Sequence, residues 1–165
     1  DFFGYGATEA ALFLAYLGAL GIVNQGALVG RLSRRYTVRR VVQAGVLSLF
    51  LALLSLAASP TAASTSLSAD GPAWLTGGLL VLLAFGALAS FGNGAISVGL
   101  ATLVSNATSA ESQGSAFGVT QGAGSLGRTV GPPLAAGAYV VVYWSPFVGG
   151  ALLLVPVAVL LRTRS

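Results

Sequence analysis

The chain has 165 residues, of which 55% are hydrophobic and 7% charged, with a mean hydropathy of +0.86; ordinary soluble domains carry roughly a quarter charged residues, so this composition cannot make a water-facing surface. With no Cys and no His, disulfides, thiolate or imidazole metal centres and Cys or His catalysis are excluded. The eight basic residues behind the net charge of +4 are all Arg, and most crowd one short segment between apolar spans, which is a topology signal and not a nucleic-acid groove.

Five apolar segments follow in order, and a helix needs roughly 20 residues to cross a hydrocarbon core of about 30 Å. The first, Thr8 to Leu32, carries Asn24 and Gln25 towards its end, read as groups for hydrogen bonds between helices. The junction Arg31 to Arg40 then holds Arg31, Arg34, Arg35, Arg39 and Arg40. The second segment is Val38 to Ala58, and the Ser/Thr/Ala-rich stretch to Gly71 has no basic residue and one acid, Asp70. By the excess of Arg in cytoplasmic loops, the first junction is inside and this second one outside.

The third segment, Pro72 to Val104, has 33 residues, roughly 50 Å of helix, so it must tilt, kink or protrude, with Gly92-Asn93-Gly94 as the expected point of distortion. Alternation puts Asn106 to Gln113 inside, where the acceptor pattern Asn106-Ala107-Thr108 would not be glycosylated. The fourth segment is Gly114 to Val142 and the fifth Pro146 to Leu161, joined by an outer turn at Tyr143 to Ser145. Arg162 and Arg164 then fall inside, agreeing with the first basic cluster, while Trp74, Tyr143 and Trp144 fall at the outer interface that amphipathic rings prefer. Five spans leave the two ends on opposite sides. The start at Asp1, with no Met and no signal-peptide pattern, suggests a chain that begins within a longer protein. The expected fold class is all-α, a polytopic membrane helix bundle occupying residues 1–165.

Two motifs stand out. Gly30-Arg31-Leu32-Ser33-Arg34-Arg35-Tyr36-Thr37-Val38-Arg39-Arg40 resembles the major facilitator superfamily loop motif, a Gly followed by a basic turn joining two helices at the cytoplasmic face. The family's Asp is Arg34 here and its second Gly is Thr37, which favours the weaker copy of the motif found in the family's second half. The simpler reading of each arginine is an inside anchor. In the fourth segment Gly118, Gly127, Gly131 and Pro132 are separated by eight residues, then three, then none. This resembles the glycine motif of drug/proton antiporters, with Ala135 and Ala136 in place of the family's paired Gly.

Glycines let helix backbones approach closely where lipid offers no hydrophobic drive to association. At about 100° per residue, Ala116, Val119, Ala123, Leu126 and Val130 make an apolar face, while Gln121, Ser125 and Arg128 make a polar one beside Gly124, Gly127 and Gly131. One face would meet lipid and the other protein or a cavity. Arg128 lies about 14 residues, or roughly 20 Å, inside this segment. An uncompensated Arg at such depth costs at least ~2.5 kcal/mol on insertion scales, so it would face water or a partner. It is the first candidate for substrate or coupling work, with Gln121, Ser125 and Asn93 beside it. Its other reading is a structural tie to backbone carbonyls or to a carboxylate beyond this sequence.

The resemblance spans nearly the whole chain and implies a major facilitator fold of which these are helices eight to twelve of twelve. It further implies proton-coupled efflux of small amphipathic compounds, as in tetracycline and multidrug exporters, by alternating access in an inner membrane. It leaves no cofactor or enzyme activity to expect, and its implied partners are a small-molecule substrate, protons, lipid and an absent N-terminal half. Helices two to six are the rival register, disfavoured because the third segment lacks an intramembrane Arg. Metabolite or sugar uptake, and a non-transporting membrane sensor or scaffold, are the other readings.

Overall fold

In a computed structural model of the chain, residues 6–58 and 77–163 are described. The expected outer loop from Ser59 to Gly71, the start of the third segment at Pro72 with Trp74, the tail residue Arg164 and the side chain of Gln25 lie outside what is described. The described residues are helical throughout apart from turns: α1 is Ala7–Val23, continued by a π-helical turn Asn24–Leu28 and by α2, Val29–Arg35; then come α3, Val38–Ala57; α4, Gly77–Ala107; α5, Gln113–Val141; and α6, Ser145–Thr163.

Each helix forms over one apolar segment of the sequence, but they are not equal in character. Four rods are long and apolar enough to cross a membrane: Ala10–Arg35, Val38–Ala57, Gly78–Ala107 and Ser145–Arg162. The expected fifth, over Gly114 to Val142, is a helix of 29 residues and long enough, but its Gly, Ser, Thr, Gln and Arg content leaves it short of that apolar character. On length and composition the chain is therefore a helical membrane protein: four such spans lie among the described residues, and the expected fifth is a helix of crossing length that is less apolar.

The helices run alternately up and down. Gly99 faces Val42 and Gly92 faces Gly45, so α4 runs antiparallel to α3. Tyr16 Oη donates to the Leu83 carbonyl at 2.9 Å and Asn24 Nδ2 to Ser90 Oγ at 3.0 Å, so α1 and its continuation run parallel to α4. Gln43 Nε2 donates to the Leu161 carbonyl at 3.1 Å, and Tyr143 Oη to the Ala57 carbonyl at 3.0 Å, so α6 is antiparallel to α3. These bonds put the Arg31–Arg40 junction and Arg162 at the same end of the bundle, as the two basic clusters led us to expect.

The core is narrow and built from small side chains. Val29, Val41, Val42, Val46, Ala52, Ala95 and Ala151 are buried; Val29, Val41 and Ala95 pack together with Leu32 and Phe91 against them. Helix α3 is the hub, lying between α4 and α6. A β-carbon on Gly92 would come within 2.8 Å of the Gly45 carbonyl oxygen and 2.9 Å of the Leu49 nitrogen, and one on Gly45 within 2.8 Å of the Ala95 β-carbon. The absence of side chains at 45 and 92 is what lets these two backbones meet.

One expectation about irregularity is not met. The helical ladder of α4 runs unbroken through Gly92-Asn93-Gly94, and Gly92 there serves contact with α3. The irregularity falls in the first rod instead, where the π turn Asn24–Leu28 is inserted; π turns occur mostly as such single-turn insertions within α-helices. Pro132 and Pro133 sit inside α5 and Pro156 inside α6 without ending either helix. Lacking N–H groups, they cannot bond the carbonyls four residues earlier, those of Arg128, Thr129 and Leu152.

Candidate functional site

The candidates fall in three places. On α5, Gln121, Ser125 and Arg128 share one stripe, at spacings of four and three, together with Gly118 and Pro132. All three polar side chains are exposed on the surface of the chain. The Arg128 guanidinium folds back towards the start of the helix, where long helical side chains point. It lies over Gly124, within 3.5 Å of where a β-carbon would be, and donates to Ser125 Oγ at 3.2 Å. Gly124 thus makes room for the charged head, which points towards the basic end of the bundle.

The apolar face of α5 is just as open: Val119 is 73% exposed, Leu126 65% and Leu134 68%. Among the described residues neither face of α5 is covered by other helices, because there it touches only its sequence neighbours, α4 and α6. Its start is tied to α4 by Gln113 Nε2, which donates to the Ser105 carbonyl at 3.3 Å and to Ser105 Oγ at 3.2 Å. Nor do the motif glycines make the close approach expected of them. A β-carbon on Gly118, Gly127 or Gly131 would meet nothing within 4 Å, whereas Gly45, Gly86, Gly92 and Gly99 are tightly faced.

Asn93 belongs to a different place. It is exposed on α4 and lines a groove of about 430 Å³ with Leu17, Gly21, Leu49, Phe85 and Ser90. Behind Ser90 lies the buried Asn24 of the π turn, 6% exposed. Asn24 is therefore beside the middle of α4, and not near the cytoplasmic end as its place in the first segment suggested. Its hydrogen bond between helices is the one expected of it. Among the described residues no ionisable side chain lines the groove, so it suits an uncharged group that can accept or donate hydrogen bonds. The structure does not bring Asn93 and the α5 stripe around one cavity.

In the loop motif, Arg34 and Arg35 close α2, Tyr36 and Thr37 are extended, and Arg39 and Arg40 fall in the first turn of α3. Cations suit the C-terminal end of α2 through its dipole and oppose the N-terminal end of α3. Helix dipoles therefore favour only part of this basic junction. Gly30 has nothing within 4 Å of a β-carbon, and its carbonyl accepts from Ser33 Oγ at 3.0 Å. Arg31, Arg34, Arg35 and Arg40 are exposed and Arg39 is half-buried.

The sequence reading passed over Ser90, Tyr16 and Ser48, which tie helices together in mid-bundle; Ser48 Oγ donates to the Leu88 carbonyl at 2.8 Å. Ser90 could have been found, since it sits one turn before Asn93 on the same helix face. The fold and the site together define a helical membrane protein with a polar stripe on its least apolar helix. Compared with known families, curated proteins and solved structures, the chain matches none.

Proposed function

We propose that this chain forms part of the C-terminal helix bundle of a major facilitator-type secondary transporter, which exports small amphipathic molecules in exchange for protons by alternating access. One observation carries this reading: α5, a helix of membrane-spanning length, holds Gln121, Ser125 and Arg128 in the open beside Gly127 and Gly131, with neither face covered by the described residues. A guanidinium on such a helix demands water or a partner, and bare glycines suit close contact with another helix. A second helix bundle facing a water-filled path supplies both. Arg128 then orients the substrate or the proton-carrying group, Gln121 and Ser125 line the path, and the Ser90–Asn93 groove offers neutral hydrogen bonding. Proton coupling rests on the motif resemblance, and its carboxylate is assigned to sequence outside this chain.

The test is reconstitution of the full-length protein in vesicles with an imposed proton gradient. The proposal expects amphipathic compounds to move against the direction of proton flow and to stop when the gradient is collapsed. Movement of a sugar or metabolite along with protons would replace export by uptake, and absence of any gradient-driven flux would leave a non-transporting membrane protein.

A further inference from the structure

The basic end of the bundle holds more than a topology signal. Between α3 and α6 runs a groove of about 300 Å³, lined by Leu47 and Phe50 on one side and Leu154 and Ala158 on the other, and ending at Gln43 and Arg162. Apart from those two terminal residues every described side chain lining it is apolar. Gln43 Nε2, donating to the Leu161 carbonyl at 3.1 Å, pins the helices together at the polar end. From Gln43 to Phe50 the groove follows about 10 Å of helix axis.

We propose that this groove seats an acyl chain of an anionic membrane phospholipid, with the phosphate headgroup held at Arg162. Shape and charge select this occupant. At about 300 Å³ along about 10 Å of helix axis, the groove is long, narrow and apolar enough for a single file of methylenes to lie in it. Arg162 is exposed at the mouth, and the same end carries Arg31, Arg34, Arg35, Arg39 and Arg40 against one described carboxylate, Glu111 in the turn between α4 and α5. That field favours a headgroup with net negative charge over a zwitterionic one. Basic pockets between membrane helices take anionic headgroups in this way. The inference stands apart from the transport reading, since it needs only that the helices lie in a bilayer.

The experiment is native mass spectrometry of the full chain released from mixed micelles containing phosphatidylglycerol or phosphatidylcholine with identical acyl chains. The expected result is a retained phosphatidylglycerol adduct several-fold more abundant than the phosphatidylcholine one, with the preference erased by Arg162→Gln and kept by Arg162→Lys. Ala158→Phe, which fills the groove, is expected to reduce both adducts. Because any variant can fold poorly, the unaltered chain carries its own test: high salt should remove the preference for phosphatidylglycerol. Equal retention of the two lipids by the unaltered chain, a preference indifferent to salt, or equal retention of soluble glycerol phosphate would overturn the proposal. A preference that survives in Arg162→Gln would do so too, and so would a second copy of the chain retained in place of lipid.

Discussion

Replacing Gly92 with Ala tests whether the crossing of α3 and α4 holds the bundle together. The new β-carbon would sit 2.8 Å from the Gly45 carbonyl oxygen and 2.9 Å from the Leu49 nitrogen, whereas ordinary contact begins near 3.4 Å. Both neighbours are backbone atoms, so no side chain can turn aside and the two helices must part by about half an ångström. Overpacking of this kind costs about 1–3 kcal/mol, and the better helix propensity of Ala returns at most about 1 kcal/mol. With the full return the expected net loss is about 0–2 kcal/mol, and the difference from a glycine-to-alanine change in open space is about 1–3 kcal/mol. Gly118→Ala is the matched control, since its β-carbon would meet nothing within 4 Å, and it should be neutral or slightly stabilising. Unfolding in mixed detergent and dodecyl sulfate, followed by circular dichroism, reads both. Equal midpoints for the two variants would refute the reasoning, because the glycine contact would then carry no energy.

Other expectations follow from single contacts. Asn24→Ala combined with Ser90→Ala in a double-mutant cycle should show a coupling of about 0.6 kcal/mol, the usual worth of a hydrogen bond between membrane helices, by the same unfolding assay. Tyr143→Phe removes the bond to the Ala57 carbonyl and should cost about 1 kcal/mol, whereas Tyr36→Phe, an exposed ring at the basic junction, should cost almost nothing. Single cysteines introduced at Thr37 and Ser109, in a chain with no native Cys, should be labelled by an impermeant thiol reagent from one side of the membrane, and one at Trp144 from the other.

Much of this architecture was legible because apolar length and arginine placement are local properties of the sequence. The alternation of the helices followed from two basic clusters that the Gln43–Leu161 bond now brings to one end. What escaped depends on which glycine meets which helix. Gly118, Gly127 and Gly131 were conspicuous by spacing yet face open space, while Gly45 and Gly92, with no motif around them, make the tight crossing. A helix pattern gives the face of a residue but not the neighbour opposite it. The π turn at Asn24–Leu28 was hidden for the same reason, since the sequence there differs little from a regular helix, and the groove at Asn93 needs three helices to define it. Arg128 was found by its depth in an apolar segment, and its fold-back over Gly124 was not foreseen.

The most direct test of the proposed export is accumulation of amphipathic drugs in cells carrying the full-length reading frame, with and without a proton uncoupler, for the unaltered protein and Arg128→Ala at matched expression. Among the described residues the exposed Arg128 bonds only a neighbouring serine, so its loss should leave stability within about 0.5 kcal/mol. Any transport defect would then be functional. The proposal expects accumulation to rise on uncoupling and, without uncoupler, in the variant; unchanged accumulation in both, across a broad panel of compounds, would contradict it.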